Sequence, residues 1–409
     1  MSWPGLRVLV AGGGIGGLCL AQGLRAAGVS VRVFERDTSV AGRNQGYRLH
    51  ISPEGERALR ECLPERVVRL ISGTANVRHG AGLSAYDEHL SPRWAPAFED
   101  PRAADPQKID SVDRVTLRHA LLAGIEDVVQ FGRTVVGHEV TPGGVTVRLA
   151  DGATETGDVL VAADGAGSRI RERHPGLASH ADLGIRTIFG RIPMTPRVQA
   201  LVSPELRDRF SYVIGSDGHH LGLMPMVFRE PPPVVAGRLW PGLAMAPAGD
   251  YYMCVFNLHA DRLGTSDDEL FRLSGTDLWR LVTDRTAGWH PGVREILGYA
   301  DPAASFAVAL RATDPVVPWD TGPVIPLGDA AHTMPPSGGV GANTALRDAS
   351  ALTTALAGVD RGERDLADAV ADYQAAMVGY ATDALQLSLR ILRWSIPSPD
   401  EHPAAHPRR

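Results

Sequence analysis

Two glycine-centred motifs, more than three hundred residues apart, constrain this chain more than any other feature. The first, Val10-Ala11-Gly12-Gly13-Gly14-Ile15-Gly16-Gly17, follows the β-like run Leu6 to Val10 and opens a helix. The second, Gly328-Asp329-Ala330-Ala331-His332, follows the apolar run Pro323 to Leu327 and leads into Pro335-Pro336-Ser337-Gly338-Gly339-Val340-Gly341-Ala342-Asn343. Either alone is ambiguous. Together they suit a long dinucleotide that needs one end of the chain for its adenosine half and the other for its second half.

Gly12, Gly14 and Gly17 fit GxGxxG. The first glycine permits a tight turn, the second lets backbone approach a pyrophosphate, and the third brings helix against strand. The helix start at Ile15 and Gly16 then presents free N–H groups and a partial positive charge to phosphates. Val31 to Glu35 forms the next strand, and Glu35 at its end is placed to accept hydrogen bonds from an adenosine ribose. This motif serves NAD and FAD alike. The choice of FAD comes from Val161 to Arg171 and from the Gly328-Asp329 block, which have no role in a simple NAD dehydrogenase. Asp329 can hold ribityl hydroxyls, and a helix opening near residue 341 would aim N–H groups at the pyrimidine edge of the flavin.

The motifs also carry a family resemblance. GxGxxG with Glu35, Asp113-Arg114-Val115-Thr116-Leu117, DGxxSxxR at Asp164 to Arg171, and GDAAHxxPPxxGxGxN at Gly328 to Asn343 occur in one order. The set resembles the single-component FAD-dependent aromatic hydroxylases, the para-hydroxybenzoate hydroxylase-like flavoprotein monooxygenases, over roughly residues 6 to 380. The resemblance implies that Arg114 contacts the FAD phosphate or ribose region and that Asp164 acts where the FAD and NAD(P)H sites meet. It further implies Asp329 on the ribityl chain, Pro335 and Pro336 on the reactive face, and Gly339, Gly341, Ala342 and Asn343 along the ring. Arg36 is assigned to adenine and Arg43 to the flavin. Val340 stands where the family often has glutamine, and Met377 and Val378 where paired arginines are frequent.

Such enzymes reduce FAD with NADH or NADPH, form a flavin C4a-hydroperoxide with O2, and hydroxylate an electron-rich carbon. Their protein supplies placement and exclusion of water, so no catalytic side chain is assigned. Rival readings are a flavin oxidase, a reductase of carbon–carbon double bonds, or a non-catalytic flavin protein that sequesters an intermediate.

The expected fold is α/β. A Rossmann-type FAD-binding domain (residues 1–72, 100–180 and 305–395) is interleaved with an α+β substrate domain on an antiparallel sheet (73–99 and 181–304). C-terminal helices and a flexible tail (396–409) follow. Val145 to Leu149 and Asp158 to Ala163 read as a hairpin-like pair, and Pro231 to Ala248 as a hairpin tip or, less simply, a lid. The substrate wall is sought among Arg191, Tyr212, Met224, Met226 and Phe256. Alternation along Tyr252 to Leu258 and along Leu221 to Pro225 leaves open which face meets the ligand. Few clustered cations in the second domain favour a bulky, weakly charged aromatic, natural-product-like substrate, as in antibiotic biosynthesis, with Arg191 available to a carboxylate or phenolate.

Net charge is −6 and Lys108 is the only lysine, which argues against nucleic acid as a partner. Three scattered cysteines indicate neither zinc nor a disulfide framework. No run is long and apolar enough for a membrane span, and the N-terminus enters a strand at once. The reading is therefore cytoplasmic, without stable membrane association, and with oligomeric state left open.

Overall fold

The run Arg7–Ala11, apolar after its first residue, is the central strand of a five-stranded parallel sheet. A computed structural model describes residues 5–40, 42, 47–77, 83–96, 105, 108–173 and 179–396. The sheet order is Val324–Pro326, Val159–Ala162, Arg7–Ala11, Ser30–Glu35, Val129–Phe131. It thus joins the two ends of the chain: Leu160 pairs with Val324 on one side, and Val161 with Val10 on the other. Helix Ile15–Ala26 is buried over most of its length and crosses helix Gly341–Asp360 closely. A Cβ on Gly23 would lie 2.5 Å from the Thr353 hydroxyl, so the contact requires glycine.

The expected hairpin is corrected. Gly144–Leu149 pairs with Thr154–Gly157 and with Val135–Thr141 in a separate three-stranded antiparallel sheet. Val159–Ala162 is buried at every position and belongs to the parallel sheet, where fully apolar strands find cover on both faces.

The second layer is a seven-stranded sheet ordered Phe306–Ala312, Ala181–Pro193, Tyr251–His259, His220–Met226, Phe210–Ile214, Leu83–Asp87, Pro92–Arg93. It is antiparallel except where Leu83–Asp87 runs parallel to Phe210–Ile214. Phe306–Ala312 pairs with Ala181–Pro193, so this sheet extends past the expected boundary at residue 305. Side chains alternate between faces. Leu221, Leu223, Cys254 and Phe256 pack with Leu278, Trp279, Val293 and Ile296 of the covering helices. Met224, Met226, Met253 and Val255 gather on the opposite face with Tyr47 and Tyr251.

One further expectation changes. Residues 231–248 form no hairpin tip: Pro232–Leu239 is a helix packed on helix Glu65–Gly73. Arg66 binds the Leu239 carbonyl at 2.7 Å and lies 4.1 Å over Trp240. The proposed tail lies outside the described residues beyond Ile396. The helix Leu366–Ser395 links the layers, with Val370 and Met377 in the first core and Leu392 against Ile185 and Leu310. Among the described residues no helix is long and apolar enough to cross a membrane.

Candidate active site

The turn after Arg7–Ala11 is held by backbone geometry. Gly12 has φ of +112°, and a Cβ there would meet the Ala163 carbonyl oxygen at 2.2 Å. A Cβ on Gly17 would lie 2.1 Å from the Gly12 oxygen, whereas Gly14 has nothing within 4 Å. Two glycines therefore close the turn, and the third leaves open space beside the helix N-terminus, where the first N–H groups lack intrahelical acceptors. Glu35 is buried: Oε2 accepts from Gly13 N–H and Oε1 from Asp37 N–H, each at 2.8 Å. Arg118 completes this brace on the Gly13 and Val40 carbonyls.

The second motif is fixed from beneath. Gly328, with φ of +63°, caps the short helix Asp329–His332. Its N–H donates to Asp348 Oδ2 at 2.9 Å, and His332 Nε2 lies 2.7 Å from the same oxygen. Tyr380 donates to Asp348 Oδ1 at 2.6 Å. Burial opposes a charged His332, but the Asp348 carboxylate outweighs it and raises the histidine pKa. Asp329 sits deep in the protein yet is exposed because it opens into a cavity. Burial raises its pKa even though His332 and Arg114 pull it down.

Helix Gly341–Asp360 begins without a side-chain cap, so its first N–H groups also lack intrahelical partners. Asn343 rivets this start to the first domain: Nδ2 donates to the His50 and Gly339 carbonyls, and Oδ1 accepts from Ser52 N–H at 2.9 Å. A Cβ on Gly55 would meet Asn343 Oδ1 at 2.0 Å.

These parts line one cavity of about 1180 Å³, more than a single drug-sized ligand fills. Of the predicted cofactor residues, the lining includes Gly14, Ile15, Gly16, Gly17, Arg114, Asp329, Pro336, Gly339, Gly341, Ala342 and Asn343. Gly12 and Glu35 stand behind the loop, Asp164 lies between the lining residues Ala163 and Gly165, and Arg36 is exposed at the surface. Arg43 lies outside the described residues. The open glycine cradle, the carboxylate facing the cavity and the two uncapped helix starts fit a flavin dinucleotide.

Of the expected substrate residues, Tyr212 and Met224 line the cavity. Met226 lies behind Met224 in the same buried cluster. Phe256 is corrected, because strand parity turns it to the other face, against Trp289 and His219. Arg191 is also outside the lining and pairs with Asp301 at 3.4 Å. The sequence reading missed Tyr47, Phe189, Met253 and Val255 in the wall, and the polar residues Arg48, Lys108 and Asp110; Phe210 and His220 also line the cavity. His220 Nδ1 lies 2.8 Å from Asn257 Nδ2, and burial lowers its pKa to about 3, so it is neutral.

The parallel sheet, its glycine turn and the shared cavity have the architecture of a dinucleotide-binding fold. The sequence model of the FAD binding domain family matches residues 5–230 and 294–387, more than half of the chain. The chain belongs to that family. It is 31% identical over 396 residues to the dual O-methyltransferase/FAD-dependent monooxygenase of Cercospora beticola, covering 90% of this chain but only 44% of that protein. The aurachin C monooxygenase/isomerase of Stigmatella aurantiaca is 29% identical, with 95% of this chain and 89% of the relative covered. A crystal structure described as an FAD-containing monooxygenase from Photorhabdus luminescens superposes with a TM-score of 0.80 at 29% identity, covering 96% and 98% of the two chains. The fold is also that of Klebsiella pneumoniae HpxO with FAD and uric acid (TM-score 0.75, 22% identity, 96% and 90% covered).

Proposed function

We propose that this protein is an FAD-dependent monooxygenase that hydroxylates an aromatic, natural-product-like small molecule with NADH or NADPH and O2. The observation that carries this reading is the continuous cavity, which runs from the glycine cradle past Asp329 to the apolar face bearing Met224, Met253 and Val255. The N–H groups at Ile15, Gly16 and Gly17 would hold the pyrophosphate, and Glu35 with Arg118 keeps that loop in shape, with Arg36 toward the adenine and Arg43 toward the flavin. Asp329 would hold the ribityl chain, and Arg114 the phosphate or ribose region. Pro335 and Pro336 would border the ring, while Gly339 and the helix start at Gly341, Ala342 and Asn343 would face its pyrimidine edge. When bound, the flavin supplies electron uptake from the nicotinamide and activation of O2 for transfer of one oxygen atom.

The chain's own contribution is electrostatic and steric. The helix start carries roughly half a positive charge, which stabilises negative charge beside it. Phe189, Phe210, Met224, Met253 and Val255 exclude water from the substrate end. Burial raises the Tyr212 phenol pKa, so Tyr212 stays protonated and can donate a hydrogen bond. The test is oxygen uptake with NAD(P)H during a screen of aromatic compounds, with ¹⁸O2 and mass spectrometry. Substrate-triggered uptake with one labelled oxygen in the product is expected. Peroxide without labelled product would instead make the protein an oxidase, and no flavin reduction would make it a binder.

A further inference from the structure

We propose that Arg48, with Lys108 beside it, binds an acidic oxygen of the substrate: a carboxylate, or a phenol or enol ionised near neutral pH. The inference rests on the hydroxylase reading and names the substrate class for that same cavity. Arg48 lies on the short strand Arg48–His50, paired with Ser111–Asp113, and both Arg48 and Lys108 line the cavity. Its side chain is only 12% exposed, and the nearest carboxylate oxygen, Asp110 Oδ2, is 3.9 Å away. Lys108 Nζ approaches the other oxygen of Asp110 at 3.4 Å. The carboxylate nearest Arg48 is thus not its alone.

Two buried arginines, Arg118 and Arg186, show what is missing. Arg118 binds the Gly13 and Val40 carbonyls, and Arg186 binds Asp182 and Asp267 through Nε and both Nη atoms. Among the described residues no hydrogen bond reaches the Arg48 guanidinium, and its buried Nε has no partner. A guanidinium withdrawn from water without acceptors is costly until an anion completes it. Burial lowers the affinity of Arg48 for its proton, with Asp110 acting against that, while an arginine remains charged throughout.

Position selects the substrate over the cofactor phosphates. The neighbouring Tyr47 packs with Met224, Met253 and Val255 on the apolar wall. The charge of Arg48 also reaches Tyr251, on the sheet, whose hydroxyl donates to Asp113 at 2.9 Å. Asn76 adds a polar group: its Oδ1 accepts from Val227 N–H at 2.7 Å and its own N–H donates to the Ser111 carbonyl, beside Asp110, while the residue lines the cavity.

The test titrates the FAD-loaded protein with 2-naphthoate and, separately, 2-naphthamide, two probes of equal shape and different charge. Perturbation of the flavin spectrum and isothermal calorimetry both report binding. Wild type is expected to favour the carboxylate by roughly tenfold or more. Arg48→Gln should abolish that preference, Arg48→Lys should retain part of it, and all three proteins should hold equal FAD. No preference in wild type, or an unchanged preference in Arg48→Gln, overturns the proposal. Loss of FAD from Arg48→Gln also overturns it, by placing the arginine on the cofactor. A wild-type protein without flavin absorbance fails the hydroxylase reading instead, and calorimetry then still reads the charge preference.

Discussion

The two ends of the cavity are built on opposite principles. At the cofactor end, the shape is set largely by backbone geometry and by groups that hold loops: Gly12, Gly17, Glu35, Asp348 and the amide of Asn343 are all committed to that. At the sheet end, the wall is mostly apolar side chains, with a few polar groups set into it. A cofactor of fixed shape rewards a rigid frame of close approaches, where any added atom collides. A substrate wall can change residue by residue without disturbing the fold, since volume-conserving apolar swaps are tolerated.

Substitutions at the cofactor end should therefore act as switches, and the glycines give the largest effect. Gly12→Ala forces an alanine to φ of +112° with its Cβ 2.2 Å from a carbonyl oxygen. Backbone strain of about 1–3 kcal/mol, added to that clash, should prevent folded protein from accumulating. Gly14→Ala has no neighbour within 4 Å and should cost about 1 kcal/mol or less in stability, yet lower flavin affinity sharply. Thermal melts and the flavin absorbance per mole of protein separate the two. Equal behaviour of both variants would show that the open space at Gly14 is not a ligand cradle. Asp329→Ala comes next, with loss of bound yellow cofactor and an unchanged melting temperature of the apoprotein. Full flavin occupancy in that variant would remove Asp329 from the ribityl contact.

The buried pair beneath that loop gives a smaller, pH-dependent effect. The His332 pKa is raised from 6.5 by Asp348. A raised folded-state pKa contributes stability that is complete below the unfolded value, near pH 6.5, and is lost as pH rises through the folded value. Wild-type melting temperature should therefore fall over that alkaline-going window. Asp348→Asn removes the carboxylate that His332 and Gly328 N–H share, so the slope should flatten and stability drop by about 3–5 kcal/mol. A slope identical in both proteins would mean that His332 is neutral in the folded state.

The same division explains what could be read from the sequence. Gly12, Gly17 and Gly328 announce themselves because a Cβ would collide there or the backbone takes a positive φ, and the acid of Asp329 follows at a fixed offset. The wall was harder. Period-two alternation identifies the two faces of Tyr251–His259 but not which one meets the cavity, and so Phe256 was assigned to the wrong side. Pro231 to Ala248 looked like a loop because of its prolines, although a proline in the first turn starts a helix, here Pro232–Leu239. The cationic niche escaped notice because Arg48 and Lys108 meet only through the pairing of Arg48–His50 with Ser111–Asp113. The one signal available was that the chain has a single lysine.

The smallest predicted effect tests the sheet end directly. Met224 and Phe256 lie on opposite faces of the sheet, in clusters of similar burial. Met224→Leu conserves volume and should change stability by less than about 1.5 kcal/mol, while shifting KM for the aromatic substrate without altering flavin content. Phe256→Leu leaves a partly filled gap against Trp289 and His219, and should lower stability by about 1–3 kcal/mol with KM unchanged. Paired melts and steady-state kinetics would decide the matter. If Phe256→Leu moved KM and Met224→Leu did not, the substrate would occupy the helix-covered face, and both the cavity assignment and the apolar wall built on it would have to be abandoned.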